Sequence, residues 1–140
     1  MYRPWIFNED ILNAGIPSPY PQLTWSGRGR SLLVHWETNF APIQRFDIGF
    51  DDALAGLVAI DESTYASTRD YGLPGPDEFD GTDFAALPWF VWKEEDSTRA
   101  SLYGNLGSIT YRKIDSYFFY GGDVVLLIDV ADCVPRISVV

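Results

Sequence analysis

Apolar and polar residues alternate most clearly about a quarter of the way along the chain. Leu32, Val34 and Trp36 alternate with less apolar positions that include His35 and Glu37. A period of two predicts a β-strand with one apolar face. The preceding segment 22–25 is expected to pair with this strand across a glycine-containing loop at 26–30, which predicts a hairpin.

The same criterion predicts further strands along the chain. They are, in order, 46–50, 57–60, 89–93, 102–103, 109–112, 117–120 and 124–130. Segment 57–60 has a second interpretation, as the end of a helical turn that begins at residue 51. The strongest predicted hairpin joins the last two strands, since Gly121 and Gly122 accept the positive φ angles of a tight turn.

Two short helices and one long loop complete the predicted elements. Asn8 would cap the first helix, and Gly15 would end it. Asp61 would cap the second, and Gly72 would end it. The segment Pro74–Pro88 reads as a loop, and a loop of that length in a compact domain is usually functional or mobile.

These elements predict a single domain over residues 1–140, of the α+β class. A chain of 140 residues fits one domain, and no repeat or change of composition marks a boundary. Short strands at close spacing with two short helices favour one curved antiparallel β-sheet. Aromatic residues make up 16% of the chain, and they favour half-buried strands.

Composition points to a cytoplasmic protein without a membrane segment. The longest aliphatic run, 124–128, is far shorter than the ~20 residues of a membrane helix. Glu9 and Asp10 interrupt any apolar stretch of a signal peptide near the start. Cys133 is the single cysteine, so no disulfide forms within the chain.

Charge is the most informative property of the composition. Twenty acidic and ten basic residues give a net charge of −10. Between Phe46 and Trp92 lie ten acids and one base, Arg69, so this segment alone carries −9. Phosphate binding requires Lys and Arg, which argues against direct binding of nucleic acid. A strong field of one sign favours partners of the opposite sign, and we therefore expect a basic protein partner.

No constellation of residues predicts catalysis, a cofactor or a metal. His35 and Glu37 would lie on one strand face, as a general base and its orienting carboxylate do, but no nucleophile motif accompanies them. One His and one Cys are too few for a usual zinc site. The acidic run Asp77–Asp83 fails as a calcium loop, because the EF-hand pattern puts Pro76 at its first ligand position.

The residues expected to contact a partner belong to the acidic segment and its aromatic neighbours. They are Asp70, Tyr71, Asp77, Glu78, Phe79, Asp80 and Asp83. Aromatic hot spots inside a complementary electric field are typical of tight, fast protein association. The sequence therefore predicts an acidic protein-binding module, of the type of an immunity or antitoxin protein that inhibits a cationic toxin such as a nuclease.

Three alternatives stay open at this point. The acids would stand in for phosphates in a nucleic-acid mimic that inhibits DNA-binding proteins. A pocket lined by aromatic residues would serve a binder of small ligands or carbohydrate, or an enzyme with His35 as its candidate residue. The acidity would serve solubility alone in an accessory subunit.

Overall fold

Nine β-strands and one short 3-10 helix make up the regular structure of the described residues. In this computed structural model the described residues are 1–5, 7, 22–37, 44–61, 74, 78–80, 91–103, 113–121, 124–131 and 133–140. The strands are β1 (Arg3–Pro4), β2 (Gln22–Arg28), β3 (Ser31–Glu37), β4 (Arg45–Phe50), β5 (Leu54–Asp61), β6 (Val91–Glu94), β7 (Ile114–Tyr120), β8 (Val124–Ala131) and β9 (Arg136–Val139), and the 3-10 helix spans Thr98–Tyr103.

The strands form two sheets. One has five strands in the order β1-β6-β7-β8-β5, and the other has four in the order β2-β3-β4-β9. All pairings within them are antiparallel. The predicted α+β fold with a single curved sheet and two helices is therefore wrong. Strands hold 67% of the described residues, and no helix of seven or more residues occurs among them. The period of a strand shows which face is apolar, but it does not show which of two sheets the strand joins.

Both predicted helices fall largely on residues that the structure does not describe. Apart from Phe7, the segment of the first helix lies outside the described residues. The second lies outside them beyond Asp61, and Asp61 itself is the last residue of β5 rather than a helix cap. Segment 57–60 is strand, as one of its two interpretations predicted. Leu102 and Tyr103, predicted as strand, belong instead to the 3-10 helix.

The two predicted hairpins are confirmed in the described part of the chain. β2 pairs with β3 from Gln22 opposite Glu37 to Arg28 opposite Ser31, so its loop is shorter than the predicted 26–30. Gly29 adopts a φ of 59° there, a conformation that glycine accepts without strain. β7 pairs along its whole length with β8, from Ile114 opposite Ala131 to Tyr120 opposite Val125; Gly121 does not have the predicted positive φ, and Gly122 lies outside the described residues.

The sheets pack face to face across the larger of two apolar clusters. Trp36 and Ile48 of the four-stranded sheet and Tyr117 and Ile128 of the five-stranded sheet are all fully buried in it. The predicted apolar face of β3 is confirmed, since Val34 and Trp36 have no exposed area. Full burial of one such aliphatic side chain contributes about 1.5–3 kcal/mol.

The five-stranded sheet is also buried on its outer face. A second cluster there includes Tyr2, Phe79, Trp92, Phe118 and Leu127. Strands that are buried on both faces read as continuous apolar runs rather than alternating ones. This burial explains the largely apolar character of β7 and β8, where six consecutive residues of each strand are buried and only Asp115, Ser116 and Asp129 among them are polar.

Candidate functional site

A row of polar residues crosses the outer face of the five-stranded sheet beside the second apolar cluster. The strand register places Glu94 opposite Ser116, Ser116 opposite Asp129, and Asp129 opposite Gly56. The exposed fractions of Glu94, Ser116 and Asp129 are 6%, 0% and 1%. A buried carboxylate is costly unless it is paired and hydrogen-bonded, so the surroundings of this row must supply partners.

The 3-10 helix and the turn before it supply the partners of Asp129 and Ser116. Arg99 Nε lies 3.1 and 3.0 Å from the two carboxylate oxygens of Asp129. The Tyr103 hydroxyl donates to Asp129 Oδ2. Ser116 Oγ donates to Asp129 Oδ1 at 2.6 Å and lies 2.8 Å from Ser97 Oγ. Asp129 therefore accepts hydrogen bonds from three side chains that lie 13 to 30 residues away in sequence.

Glu94, at the other end of the row, is compensated by a different set of donors. The Met1 ammonium lies 2.6 Å from Oε2. Ser97 Oγ donates to Oε1 at 3.0 Å, and the Thr98 N–H donates to the same oxygen at 3.2 Å. Burial acts to raise the pKa of Glu94, but the hydrogen bonds from Met1 and Ser97 and the ammonium charge lower it overall.

Burial and charge also shift the pKa values around Asp129. Burial raises the pKa of Tyr103, and the hydrogen bond to the Asp129 carboxylate raises it further. Burial acts to lower the pKa of Arg99, but the charge and hydrogen bonds of Asp129 raise it overall. At neutral pH the network therefore holds a charged Arg99 guanidinium and a protonated Tyr103 hydroxyl.

This buried network fixes the 3-10 helix on the sheet. Ser97 is 3% exposed and Ser116 is fully buried, so neither hydroxyl faces solvent as a nucleophile. The carboxylates of Glu94 and Asp129, which would act as bases, already accept hydrogen bonds from side chains of the same network. We therefore assign the row a positioning role in the fold rather than a chemical one.

A second polar row crosses the outer face of the four-stranded sheet, and this row reaches solvent. The register places Thr24 opposite His35, His35 opposite Asp47, and Asp47 opposite Ser138. His35 Nδ1 lies 2.5 Å from Asp47 Oδ1. The side chain of His35 is 37% exposed. A carboxylate that accepts the Nδ1 proton leaves the Nε2 lone pair available as a base.

Asp47, rather than the predicted Glu37, is the main partner of His35. Glu37 Oε2 is 3.9 Å from His35 Nε2 and 3.2 Å from Arg45 Nε. Glu37 shares a strand with His35, whereas Asp47 lies on the neighbouring strand. Sequence spacing alone shows only the first of these two relationships, because the second depends on the register between strands.

Three of the seven residues predicted to contact a partner are described. Glu78 and Asp80 are exposed, and their backbones bond to that of Tyr2 at 2.7 and 2.9 Å. Phe79 is buried, with its ring centroid 5.3 Å from that of Phe118, so its ring does not face solvent. The other four residues, Asp70, Tyr71, Asp77 and Asp83, lie outside the described residues. The contact surface as a whole stays a prediction.

Sequence reasoning missed the buried row entirely. One signal for it was present, because Asp129 is a single acid inside the otherwise aliphatic stretch Val124–Val130. A lone charge within an apolar strand indicates a compensating partner elsewhere in the chain. Nothing in the sequence points to Arg99, 30 residues away, as that partner.

Comparisons with protein-family models, with curated proteins and with solved structures find no match to this chain. Within the described ranges no group of three or more His, Cys, Asp or Glu side chains is placed to hold a metal ion. The same part of the chain contains no helix that is both long and apolar enough to cross a membrane.

Proposed function

We propose that this chain is an acidic protein-binding domain that neutralises a basic protein partner. The observation that carries the proposal is the excess of twenty acidic over ten basic residues, with −9 of the net −10 in the segment between Phe46 and Trp92. Such a field raises the local concentration of a cationic partner and speeds its association.

Ion pairing of the basic side chains supports the proposal. Of the eight lysine and arginine residues that the structure describes, seven have a carboxylate oxygen within 4.0 Å. They are Arg3, Arg30, Arg45, Lys93, Arg99, Lys113 and Arg136. Their positive charges are thus compensated locally, and the acids in excess of them set the sign of the outer field.

A more specific form of the proposal is an immunity or antitoxin protein that covers the active site of a cationic toxin such as a nuclease. A carboxylate-rich surface that approaches a phosphate-binding cleft meets the lysine and arginine residues that such clefts contain. The contact surface proposed for this role is the one predicted from the sequence without Phe79, whose ring is buried.

The decisive experiment compares two matched charge reversals. Asp80 and Glu95 are exposed acids that each have a basic side chain within 4.0 Å, Arg3 at 3.8 Å and Lys93 at 3.3 Å. The partner is first isolated on immobilised wild-type chain at low salt and identified by mass spectrometry. Its association rate is then measured with Asp80→Lys and with Glu95→Lys, which change the net charge equally.

The proposal expects Asp80→Lys to slow association more than Glu95→Lys. The triple change of Asp77, Asp80 and Asp83 to lysine should slow it by roughly tenfold or more and weaken its salt dependence. If the two single changes slow association equally, the association rate depends on net charge and not on the position of the acid. A captured protein that is not basic, or an association rate independent of salt, would refute the proposal.

General base catalysis by His35 is a second candidate function, and one contact favours it. His35 Nδ1 lies 2.5 Å from Asp47 Oδ1, and the ring is partly exposed on an open sheet face. A panel of chromogenic esters and phosphoesters tests it. Asp47→Asn should reduce turnover and Glu37→Gln should retain it, because Asp47 orients the ring. Absence of turnover across the panel would remove this candidate.

A further inference from the structure

β9 is an edge of the four-stranded sheet and is unusually apolar for an exposed strand. All four of its residues are exposed, as is Val140 after it. Ile137, Val139 and Val140 are 38%, 73% and 66% exposed. An exposed apolar edge with free backbone groups is a template for pairing with another strand.

The other described edges carry features that oppose such pairing. β1 has only two residues, and one of them is Pro4. β5 has an irregular register between Leu54 and Gly56 and ends at the exposed Asp61. β2 ends in the exposed Arg28. Short length, proline, bulges and charge are the usual means by which proteins protect sheet edges.

β9 is also short, with four residues, but it contains no proline or bulge, and its one charged side chain pairs with Asp51 directly after β4. Arg136 donates from Nε and Nη2 to the two carboxylate oxygens of Asp51, each at 3.1 Å. The guanidinium lies above Gly49, where an added Cβ would be 2.8 Å from Arg136 Nη2. The arginine charge is therefore directed towards β4 and its neighbouring turn, not along the free edge.

The hydrogen-bond pattern defines which backbone groups of β9 face outward. The Val140 N–H donates to the carbonyl of Arg45 on β4 at 3.0 Å. In an antiparallel pair alternate residues bond to the partner strand, so Ser138 also faces β4. The N–H and C=O groups of Ile137 and Val139 consequently point away from the sheet.

We propose that β9 pairs with β9 of a second copy of this chain in an antiparallel arrangement, with the two-fold axis at Ser138. In this register Ile137 of each copy lies opposite Val139 of the other. The outward N–H and C=O groups of both residues then all find partners, in four hydrogen bonds. The two four-stranded sheets become one sheet of eight strands.

Side chains and charge favour a second copy as the occupant. The register sets the apolar side chains of Ile137 and Val139 against each other on one face. The Arg136–Asp51 pair offsets the one charge on β9 itself, although Asp47 opposite Ser138 is acidic and two copies of net charge −10 repel at long range. Added salt screens that repulsion, so it should strengthen this dimer while it weakens binding of a basic partner.

Sedimentation equilibrium of the full chain tests the proposal at about 0.05 M and 0.5 M NaCl, which bracket strong and weak screening. The interface is small, so we expect a weak dimer that tightens with salt. Val139→Pro removes an outward N–H and no bond to β4, and it should weaken dimerisation about tenfold or more while the monomer stays folded. Val134→Ala, at an exposed site before β9, is the control and should change nothing.

Disulfide trapping tests the register independently of affinity. In a Cys133→Ser background, Ser138→Cys should form an intermolecular disulfide with oxidised glutathione, because the two copies of residue 138 face each other at the axis. Val140→Cys should not, since the two copies of residue 140 lie roughly 13 Å apart in this register. A monomer at both salt concentrations, a dimer unaffected by Val139→Pro, or equal trapping of both cysteines overturns the proposal. None of these outcomes bears on binding of a basic partner, so the two proposals fail separately.

Discussion

Gly56 lies directly opposite Asp129 across β5 and β8, and the Tyr103 side chain occupies the space above this glycine. A Cβ at position 56 would collide with the Tyr103 hydroxyl, and it would approach ring atoms Cζ and Cε1 to 3.0 and 3.2 Å. The same hydroxyl donates to Asp129. The missing side chain of Gly56 is thus what allows Tyr103 to reach the buried carboxylate.

Replacement of this glycine should therefore destabilise the fold. Gly56→Ala must displace Tyr103 from Asp129, and we expect it to lower the free energy of unfolding by about 1–3 kcal/mol, the usual cost of overpacking. Urea denaturation measures the change. Gly27→Ala is the matched control, because the nearest atoms to its added Cβ are 3.7 and 3.8 Å away. An equal cost at both positions would contradict this account.

Two tyrosine-to-phenylalanine changes should have different effects on stability. Tyr103→Phe removes a hydrogen bond to a buried carboxylate and should cost about 1.5–3 kcal/mol. The Tyr117 hydroxyl is buried without a hydrogen-bond partner among the described residues. Tyr117→Phe should therefore be neutral or stabilising by about 1 kcal/mol. Thermal and urea unfolding of the two variants side by side test the contrast.

Removal of the central carboxylate should be the most damaging change in the buried row. Asp129→Ala removes the carboxylate that pairs with the Arg99 guanidinium, whose side chain is only 12% exposed. Breaking a buried ion pair from one side costs about 3–5 kcal/mol. Asp51→Ala is the control, because its pair with Arg136 is exposed, and solvent screening leaves such pairs little effect on stability. Similar losses of stability in both variants would show that burial of the ion pair does not determine how much its removal destabilises the fold.

Stability should fall in acid through the titration of Glu94. The pKa of Glu94 in the folded chain lies below its ordinary value of 4.5. Its contribution is therefore fully present above that value and is lost as pH falls through the lower folded pKa. Unfolding free energies from neutral pH to pH about 3 should show this loss in the wild type and a smaller loss in Glu94→Gln. Lys93 also lowers the pKa of Glu95, but this acid is exposed, so Glu95→Gln should reduce the loss less than Glu94→Gln does.

The neutral form of His35 should carry its proton on Nδ1. The Asp47 carboxylate, 2.5 Å from Nδ1, accepts that proton and favours this tautomer. Nitrogen chemical shifts of the imidazole distinguish the two tautomers. Asp47→Asn should reduce the population of the Nδ1–H form, and Glu37→Gln should leave it unchanged. If Glu37→Gln reduced this population and Asp47→Asn did not, Glu37 would be the residue that orients the ring.

Some elements of this fold follow from local pattern because backbone geometry imposes it. The alternation of Val34 and Trp36 with His35 predicts β3, the buried face and the outward histidine, all of which the structure confirms. The glycine pair after Tyr120 likewise predicts the hairpin of β7 and β8. In the first case the period of two along a strand decides the outcome, and in the second the turn residues do.

Other features were beyond local pattern because they depend on contacts between distant segments. The sequence predicts a strand at Leu102 and Tyr103, but these residues belong to a 3-10 helix whose Tyr103 and Arg99 side chains bond to Asp129. His35 was paired with Glu37 on its own strand, whereas the register of β3 with β4 brings Asp47 closer.

The sequence by itself determined the strand-rich character of the chain, the apolar faces of its clearest strands and the acidic excess of its charge. Only the tertiary structure decided that the strands divide into two sheets, that Glu94 and Asp129 share a buried row, and that His35 meets Asp47. The physical reason is the distance along the chain over which each property is determined. Side-chain direction along a strand is set by the backbone at each residue, whereas sheet membership, register and burial of charge are set by packing among residues far apart in the chain.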